Sequence, residues 1–261
     1  MEHFAKIKLR VRISFDRIYQ HMKDTDIVEE EAGNGVVDAL FSVGAHFGFI
    51  KSRRHPSTKP FIYGVKNRIE IFDLEKTKDN LHNALQFVET LASKNATILF
   101  VSGKNEAKNS IVKTAESISM PYVAGRFIGG TLTNFSEIKK RVDKLEKLVS
   151  QKDKGELVKY TKKERLLIDR EIDKLREFFF GLSSMKKLPD ALFVIDSKKE
   201  SIAIREAKIM SIPVIALCGS DNDLNEVQFP IPGNDSSMKS IEFFLEKVVE
   251  SYKKGQMKVS S

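Results

Sequence analysis

Thr97-Ile98-Leu99-Phe100-Val101 runs five residues without a charge and breaks on Ser102-Gly103. A strand buried on both faces reads this way, because it has no solvent side on which to place polar groups. The pattern returns in Ala191-Leu192-Phe193-Val194-Ile195 and in Pro213-Val214-Ile215-Ala216-Leu217. Segments of helical period lie around these runs. Leu81, Leu85, Val88 and Leu91 line one face of a helix from about Glu75 to Ser93, just after Asp73. Helices are also predicted over 36–43, 105–118, 199–210 and 236–253, with short strands at Ile69–Phe72 and Met120–Val123. Strands alternating with helices predict an α/β fold. The expected architecture is a Rossmann-like (flavodoxin-like) parallel sheet with helices on both faces and right-handed connections.

Residues 136–187 break that rhythm. Ile138, Val142, Leu145 and Val149 step by four, three and four, and Ile168, Ile172, Leu175 and Phe179 repeat the steps. Polar residues fill most other positions. Two stripes of this type, joined by a polar region containing Gly155, predict an antiparallel coiled-coil hairpin inserted into the α/β domain. The expected plan is then an N-terminal extension over 1–35, an α/β domain over 36–135 and 188–254, the hairpin over 136–187 and a tail over 255–261. In the extension, Lys6–Ile13 alternates basic and apolar residues as an exposed strand would, and Asp24–Glu31 is acidic. It reads as a poorly ordered extension or a misplaced start. Its acids and scarce serine argue against a transit peptide.

Composition narrows the function. The chain has 261 residues, 41% of them hydrophobic, which is enough for a sizeable core and excludes global disorder. No apolar run approaches the ~20 residues of a membrane span, so no membrane partner is expected. A single cysteine, Cys218, has no internal disulfide partner, which fits a reducing compartment. The net charge is +8, and it is not spread evenly. Residues 48–68 carry six Lys and Arg and no acid, while 136–187 carry sixteen bases against ten acids. Each block is therefore +6, and the remainder of the chain is −4. Two basic blocks on a slightly acidic body resemble a phosphate-facing footprint.

Enzyme chemistry has little support. After Thr97–Val101 the chain offers Ser102-Gly103-Lys104-Asn105, with one glycine where a dinucleotide fingerprint needs three. Gly129-Gly130-Thr131 lacks the lysine of a P-loop. The histidines, His3, His21, His46, His55 and His82, show no metal-ligand spacing, so no metal and no cofactor are expected. His46 reads as a structural histidine and Cys218 as a buried, inert thiol. Asp196 sits where α/β enzymes place catalytic groups, but helix capping is the commoner use. Asp221 and Asp223 read as a solvated turn.

The positive signals suit a polyanion. Lys51, Arg53, Arg54, Lys59, Lys66 and Arg68 form one candidate basic face, stiffened by Pro56 and Pro60 in what reads as a loop. Arg126, Thr131, Thr133, Asn134, Lys139 and Lys140 form a second, where Gly129-Gly130 allows close backbone approach and a helix start accepts an anion. A tight turn with an N-cap would explain the glycine-threonine string equally well.

The blocks Gly44-Ala45-His46-Phe47-Gly48, Arg53-Arg54, Lys59-Pro60-Phe61-Ile62-Tyr63-Gly64, Asp73-Leu74-Glu75-Lys76-Thr77, Gly129-Gly130-Thr131-Leu132-Thr133-Asn134-Phe135, Leu188–Asp196 and Pro230-Ile231-Pro232-Gly233-Asn234-Asp235 occur in this order. Together they resemble the family of the second protein of the small ribosomal subunit, of the bacterial or organellar type, over about 36–254. The resemblance implies a Rossmann-like domain with a protruding helical hairpin and a structural role in translation without turnover. It implies small-subunit ribosomal RNA and neighbouring ribosomal proteins as partners, and in many bacteria a docking surface for the largest small-subunit protein. The implied location is the cytoplasmic ribosome, ahead of an organellar matrix, with no small-molecule substrate. Phe49 stands where the family commonly has a second histidine, and Phe127 where it commonly has tryptophan. No contact of that second imidazole, to metal or RNA, carries over. Two other readings remain at this stage: an enzyme using Asp196 or Asp221 on a phosphorylated substrate, and a non-ribosomal scaffold using the hairpin.

Overall fold

The computed structural model describes residues 33–260. The sequence readings of Lys6–Ile13 and Asp24–Glu31 lie outside the described residues. Five strands form the central parallel sheet: β4 (Ile98–Ser102), β5 (Tyr122–Ala124), β6 (Ala191–Ile195), β7 (Val214–Cys218) and β8 (Phe229–Pro232). Their spatial order is β5-β4-β6-β7-β8. By order along the chain this is 2-1-3-4-5, the flavodoxin-like arrangement, and the strand order reverses between β4 and β6.

Every residue of β4, β6 and β7 is buried. The two-residue strand period sends alternate side chains to opposite faces. Ile98, Phe100, Phe193, Ile195, Ile215 and Leu217 enter one core with α2 (Leu74–Ser93), α3 (Asn105–Ser117) and α7 (Met238–Ser260). Leu99, Val101, Leu192, Val194, Val214 and Ala216 enter the other with α6 (Ser201–Met210). Each fully buried side chain of this size is worth about 1.5–3 kcal/mol over exposure. Asp73 caps α2, its carboxylate accepting from the Glu75 amide at 3.2 Å.

β8 escapes a sequence reading because Phe229-Pro230-Ile231-Pro232 carries two prolines. It is one of the two edge strands, with β5 at the other edge, and it pairs in parallel with β7. Prolines at alternate positions turn their missing N–H groups to one edge and leave Phe229 and Ile231 to serve the other.

Two further corrections concern the basic segment and the C-terminus. Residues 48–68 are ordered structure, not a loop. α1 (Gly33–Ser42) leads into β1 (Phe47–Ile50), two 3-10 turns over Lys51–Arg53 and Pro56–Phe61, and β2 (Ile62–Lys66). With β3 (Ile69–Phe72) these strands make a small antiparallel sheet in the order β1-β3-β2. Strands of four or five residues, one interrupted by Gly48 and another by Gly64, carry too little period-2 signal to be read alone. At the other end, α7 continues to Ser260, so residues 255–260, expected as a tail, are helical.

Residues 136–187 supply α4 (Phe135–Asp153) and α5 (Lys162–Phe179), which pack on one another. Ile138, Val142, Leu145, Ile172, Leu175 and Phe179 are buried together, and their cluster joins the second core beside Phe127, Leu132 and Leu182. Thr161 and Glu164 form a capping box at the start of α5. Lys144–Glu171 and a 2.7 Å Lys152–Asp169 pair tie the two helices across their exposed sides.

Candidate nucleic-acid interface

The first basic block is fastened to the loop after β7. His55 N donates to Ser220 O at 2.9 Å, and Thr58 Oγ1 donates to the same oxygen at 2.9 Å. Phe49 N donates to Ser220 Oγ, and Leu224 N to Ser57 Oγ. Lys51, Arg53, Lys59, Lys66 and Arg68 are exposed on this anchored frame. Arg54 is different: its Nη1 lies 3.2 Å from Oε1 of Glu70, which is fully buried. The sequence grouped Arg54 with the outward cations, but its charge is directed at this internal carboxylate.

Asn67 and Arg68 join β2 to β3, and both have positive φ, 51° and 67°. With Lys66 opposite Ile69, this is a two-residue hairpin turn of the primed type, which demands left-handed backbone at both positions. Glycine is the easy residue at the second position, and here arginine occupies it.

The second block follows β5. Arg126, Thr133, Asn134, Lys139 and Lys140 are exposed. Lys140 pairs with Glu137 at 2.6 Å. Thr131 is buried, and its hydroxyl donates to Ile128 O at 2.6 Å, so it is turned away from any partner. The anion expected at the glycine-threonine loop is present, and it belongs to the protein. The Glu206 carboxylate accepts from Gly130 N at 2.5 Å, Leu132 N at 2.9 Å, Thr133 N at 3.1 Å and Thr133 Oγ1 at 3.2 Å. The string is thus a tight turn whose amides hold an internal carboxylate, and Asn134 at the N-cap position of α4 makes no side-chain capping bond.

The crevice between the two blocks is where doubly wound sheets receive phosphates, beyond the carboxyl ends of β4 and β6. This chain fills it with its own side chains. The Glu200 carboxylate accepts from Gly103 N at 2.7 Å, and a Cβ on Gly103 would meet that oxygen at 2.7 Å. Lys104 Nζ lies 2.9 Å from Asp196 and 2.8 Å from Asp235. Asp196 Oδ1 also accepts from Lys199 N at 3.0 Å, but this bond closes the turn ahead of α6; the helix starts at Ser201 with Glu200 at its N-cap position, so Asp196 is not the helix cap read from sequence. Asp221 pairs with Lys198 at 3.0 Å rather than forming a fully solvated turn.

Burial opposes the Lys104 ammonium, but the Asp235 and Asp196 carboxylates outweigh it and hold its pKa above the ordinary lysine range. One positive charge is shared between two carboxylates. Asp235, 1% exposed, is pushed up to about 6 by burial despite Lys104, with Asp196 adding like-charge repulsion. Burial likewise raises Glu200 against the Gly103 amide. Burial pushes the Cys218 thiol up to about 12, the inert state expected of it. His46 is buried, stacks on Phe41 at 4.5 Å between centroids, and has its pKa lowered by desolvation.

Sequence reading missed Glu70, Glu206 and Lys104 as organisers of this region. Glu206 did leave a signal, as an acid on the buried side of α6 between Ala203 and Ala207. Glu70 likewise alternates inward between Ile69 and Ile71 in β3.

The two blocks sit at the same end of the sheet and on different sides of the crevice. One hangs on the loop after β7 and the other follows β5, and the order β5-β4-β6-β7 puts three strand spacings, roughly 14 Å, between those points. Outward cations thus surround a crevice that the chain fills with its own side chains. The chain is 41% identical over 217 residues to small ribosomal subunit protein uS2 of Nitratiruptor sp., covering 83% of this chain and 81% of that protein. It is 41% identical over 214 residues to the Thermus thermophilus protein of the same name, covering 82% and 84%, and 38% identical over 216 residues to that of Bdellovibrio bacteriovorus, covering 83% and 69%. The sequence profile for ribosomal protein S2 matches residues 40–255, which takes in both basic blocks and the crevice between them, and the chain belongs to that family.

Proposed function

We propose that this chain, a structural component of the small ribosomal subunit, grips ribosomal RNA phosphates at two places across the carboxyl end of its sheet. The first grip is Lys51, Arg53, Lys59, Lys66 and Arg68. The second is Arg126, Asn134, Lys139 and Lys140, with Thr133 contributing only what Glu206 leaves. The carrying observation is the pairing of exposed cations on both sides with a crevice whose phosphate positions hold internal carboxylates. Structured RNA is read mainly through phosphate and sugar, because its deep major groove is closed to side chains. In this reading α4 and α5, within 136–187, form an arm set into the α/β domain of 36–135 and 188–254. Neighbouring ribosomal proteins complete the environment, and the largest small-subunit protein docks on this chain. The role is non-catalytic, and the location is that of cytoplasmic ribosomes. Among the described residues no helix is long and apolar enough to cross a membrane.

The test is binding of small-subunit ribosomal RNA by the full chain across a salt series. Each lost phosphate contact lowers the slope by about 0.9 on duplex and about 0.7 on single strands. Replacing Lys51, Arg53 and Lys59 by Ala flattens the slope by about two units or more. An unchanged slope, or a free chain that sediments apart from small subunits, sinks the assignment.

A further inference from the structure

Glu206 is 8% exposed, and among the described residues it makes no ion pair. A buried carboxylate without a cation is costly unless hydrogen-bond donors replace its water. All four of its donors come from one short stretch, Gly130 to Thr133. Gly130 has φ +94°, a left-handed conformation that turns its amide inward. Asn134 N then donates to Gly130 O at 2.8 Å, and Asn134 O accepts from Glu137 N and Ile138 N in the first turn of α4. One carboxylate on α6 therefore fixes the point from which α4 departs.

We propose that Glu206 is a positioning residue for RNA binding: it occupies the anion pocket of the Gly130–Thr133 loop from inside and so sets the direction of α4 and its cations. An RNA phosphate in the same pocket would satisfy the amides but would leave the loop untied from α6. The internal anion keeps phosphates out of the pocket and leaves Arg126, Asn134 and Lys139 as the outward contacts. The inference rests on the RNA reading above and adds a residue that touches no RNA.

The experiment uses the full chain with cysteines for spin labels at Lys147 on α4 and Lys94 beyond α2, both exposed, while buried Cys218 stays unlabelled. Wild type gives one narrow label-to-label distance. Glu206→Ala broadens it and binds small-subunit ribosomal RNA about tenfold more weakly. Glu206→Gln, which keeps the volume and loses the charge, falls between and serves if the alanine variant does not fold. Formate, a small carboxylate, re-enters the emptied pocket, narrows the distance and recovers RNA affinity relative to chloride at equal ionic strength. Recovery of affinity in step with the distance ties RNA binding to the occupied pocket. Unchanged distances overturn the proposal, and so does a broadened distance with undiminished affinity, which leaves the RNA reading intact. Wild type with no salt-dependent affinity overturns the RNA reading itself, and that result is read without any Glu206 variant.

Discussion

Nη1 of Arg54 lies 3.2 Å from Oε1 of Glu70, while the neighbouring Arg53 is exposed. Two adjacent arginines thus do separate jobs. Glu70 is fully buried and Arg54 only partly, so removing Arg54 strands the carboxylate, at a cost of about 3 kcal/mol.

Arg54→Ala is therefore expected to lower unfolding free energy by about 3 kcal/mol. Adding Glu70→Gln recovers much of that loss, because no buried charge then remains. Arg53→Ala leaves stability within about 0.5 kcal/mol and instead weakens RNA binding and its salt slope. Denaturant titrations of the three variants beside wild type decide it. Equal stability of the two single arginine variants would remove Arg54 from its structural role.

Arg68 adopts φ 67° at the second position of a primed hairpin turn. A side chain in left-handed backbone costs about 1 kcal/mol or more relative to glycine. Arg68→Gly is expected to raise the unfolding free energy by about 1 kcal/mol and to weaken RNA binding at the same time. A more stable protein that binds less well would mark the arginine as kept for contact. A variant that is stabilised with its affinity unchanged takes Arg68 off the RNA face.

The parallel sheet was legible because β4, β6 and β7 are buried on both faces and so are continuously apolar. The helical stripes of α4 and α5 were legible by period. What escaped depends on contacts distant in sequence. β8 is a strand because β7 lies beside it, and prolines are tolerated only at that edge. Thr131 and Thr133 looked like donors awaiting an anion; Thr131 instead donates to Ile128 O, and nothing local shows that Glu206, more than seventy residues later, supplies the anion to Thr133. Arg54 looked like its neighbour until β3 placed Glu70 beneath it. Exposed cations are visible in composition, whereas their internal partners require the fold.

Asp235 carries a pH dependence of definite sign. Its native pKa, about 6, lies above the ordinary 3.8, so the native state holds its proton more tightly than the unfolded state does. Stability from this group is full below about pH 4 and is lost as pH rises through 6. Lys104 stays charged throughout this window, since its pKa is raised from 10.5. The stability difference between wild type and Asp235→Asn should shrink from pH 4 to pH 7, by at most about 3 kcal/mol. Paired denaturant titrations at several pH values measure it. A difference that is flat, or that grows with pH, contradicts the deep burial of this carboxylate.

Gly181 tests how the second helix of the arm returns to the sheet. It follows α5, and a Cβ built there would collide with the carbonyl oxygen of Tyr122 and lie 2.6 Å from its ring. Tyr122 opens β5, the edge strand whose continuation leads through Arg126 into the Glu206-bound loop. Backbone cannot swing aside as a flexible side chain can, so Gly181→Ala must push α5 away from β5. The expected loss is about 3 kcal/mol, at the upper end of overpacking costs. Gly155 in the turn between α4 and α5 meets nothing within 4 Å, although its φ of +72° makes alanine strained there. Gly155→Ala is expected to cost only about 1 kcal/mol. Thermal unfolding of the two variants side by side separates close packing from backbone strain. Equal losses would mean that Gly181 does not bear on the edge strand.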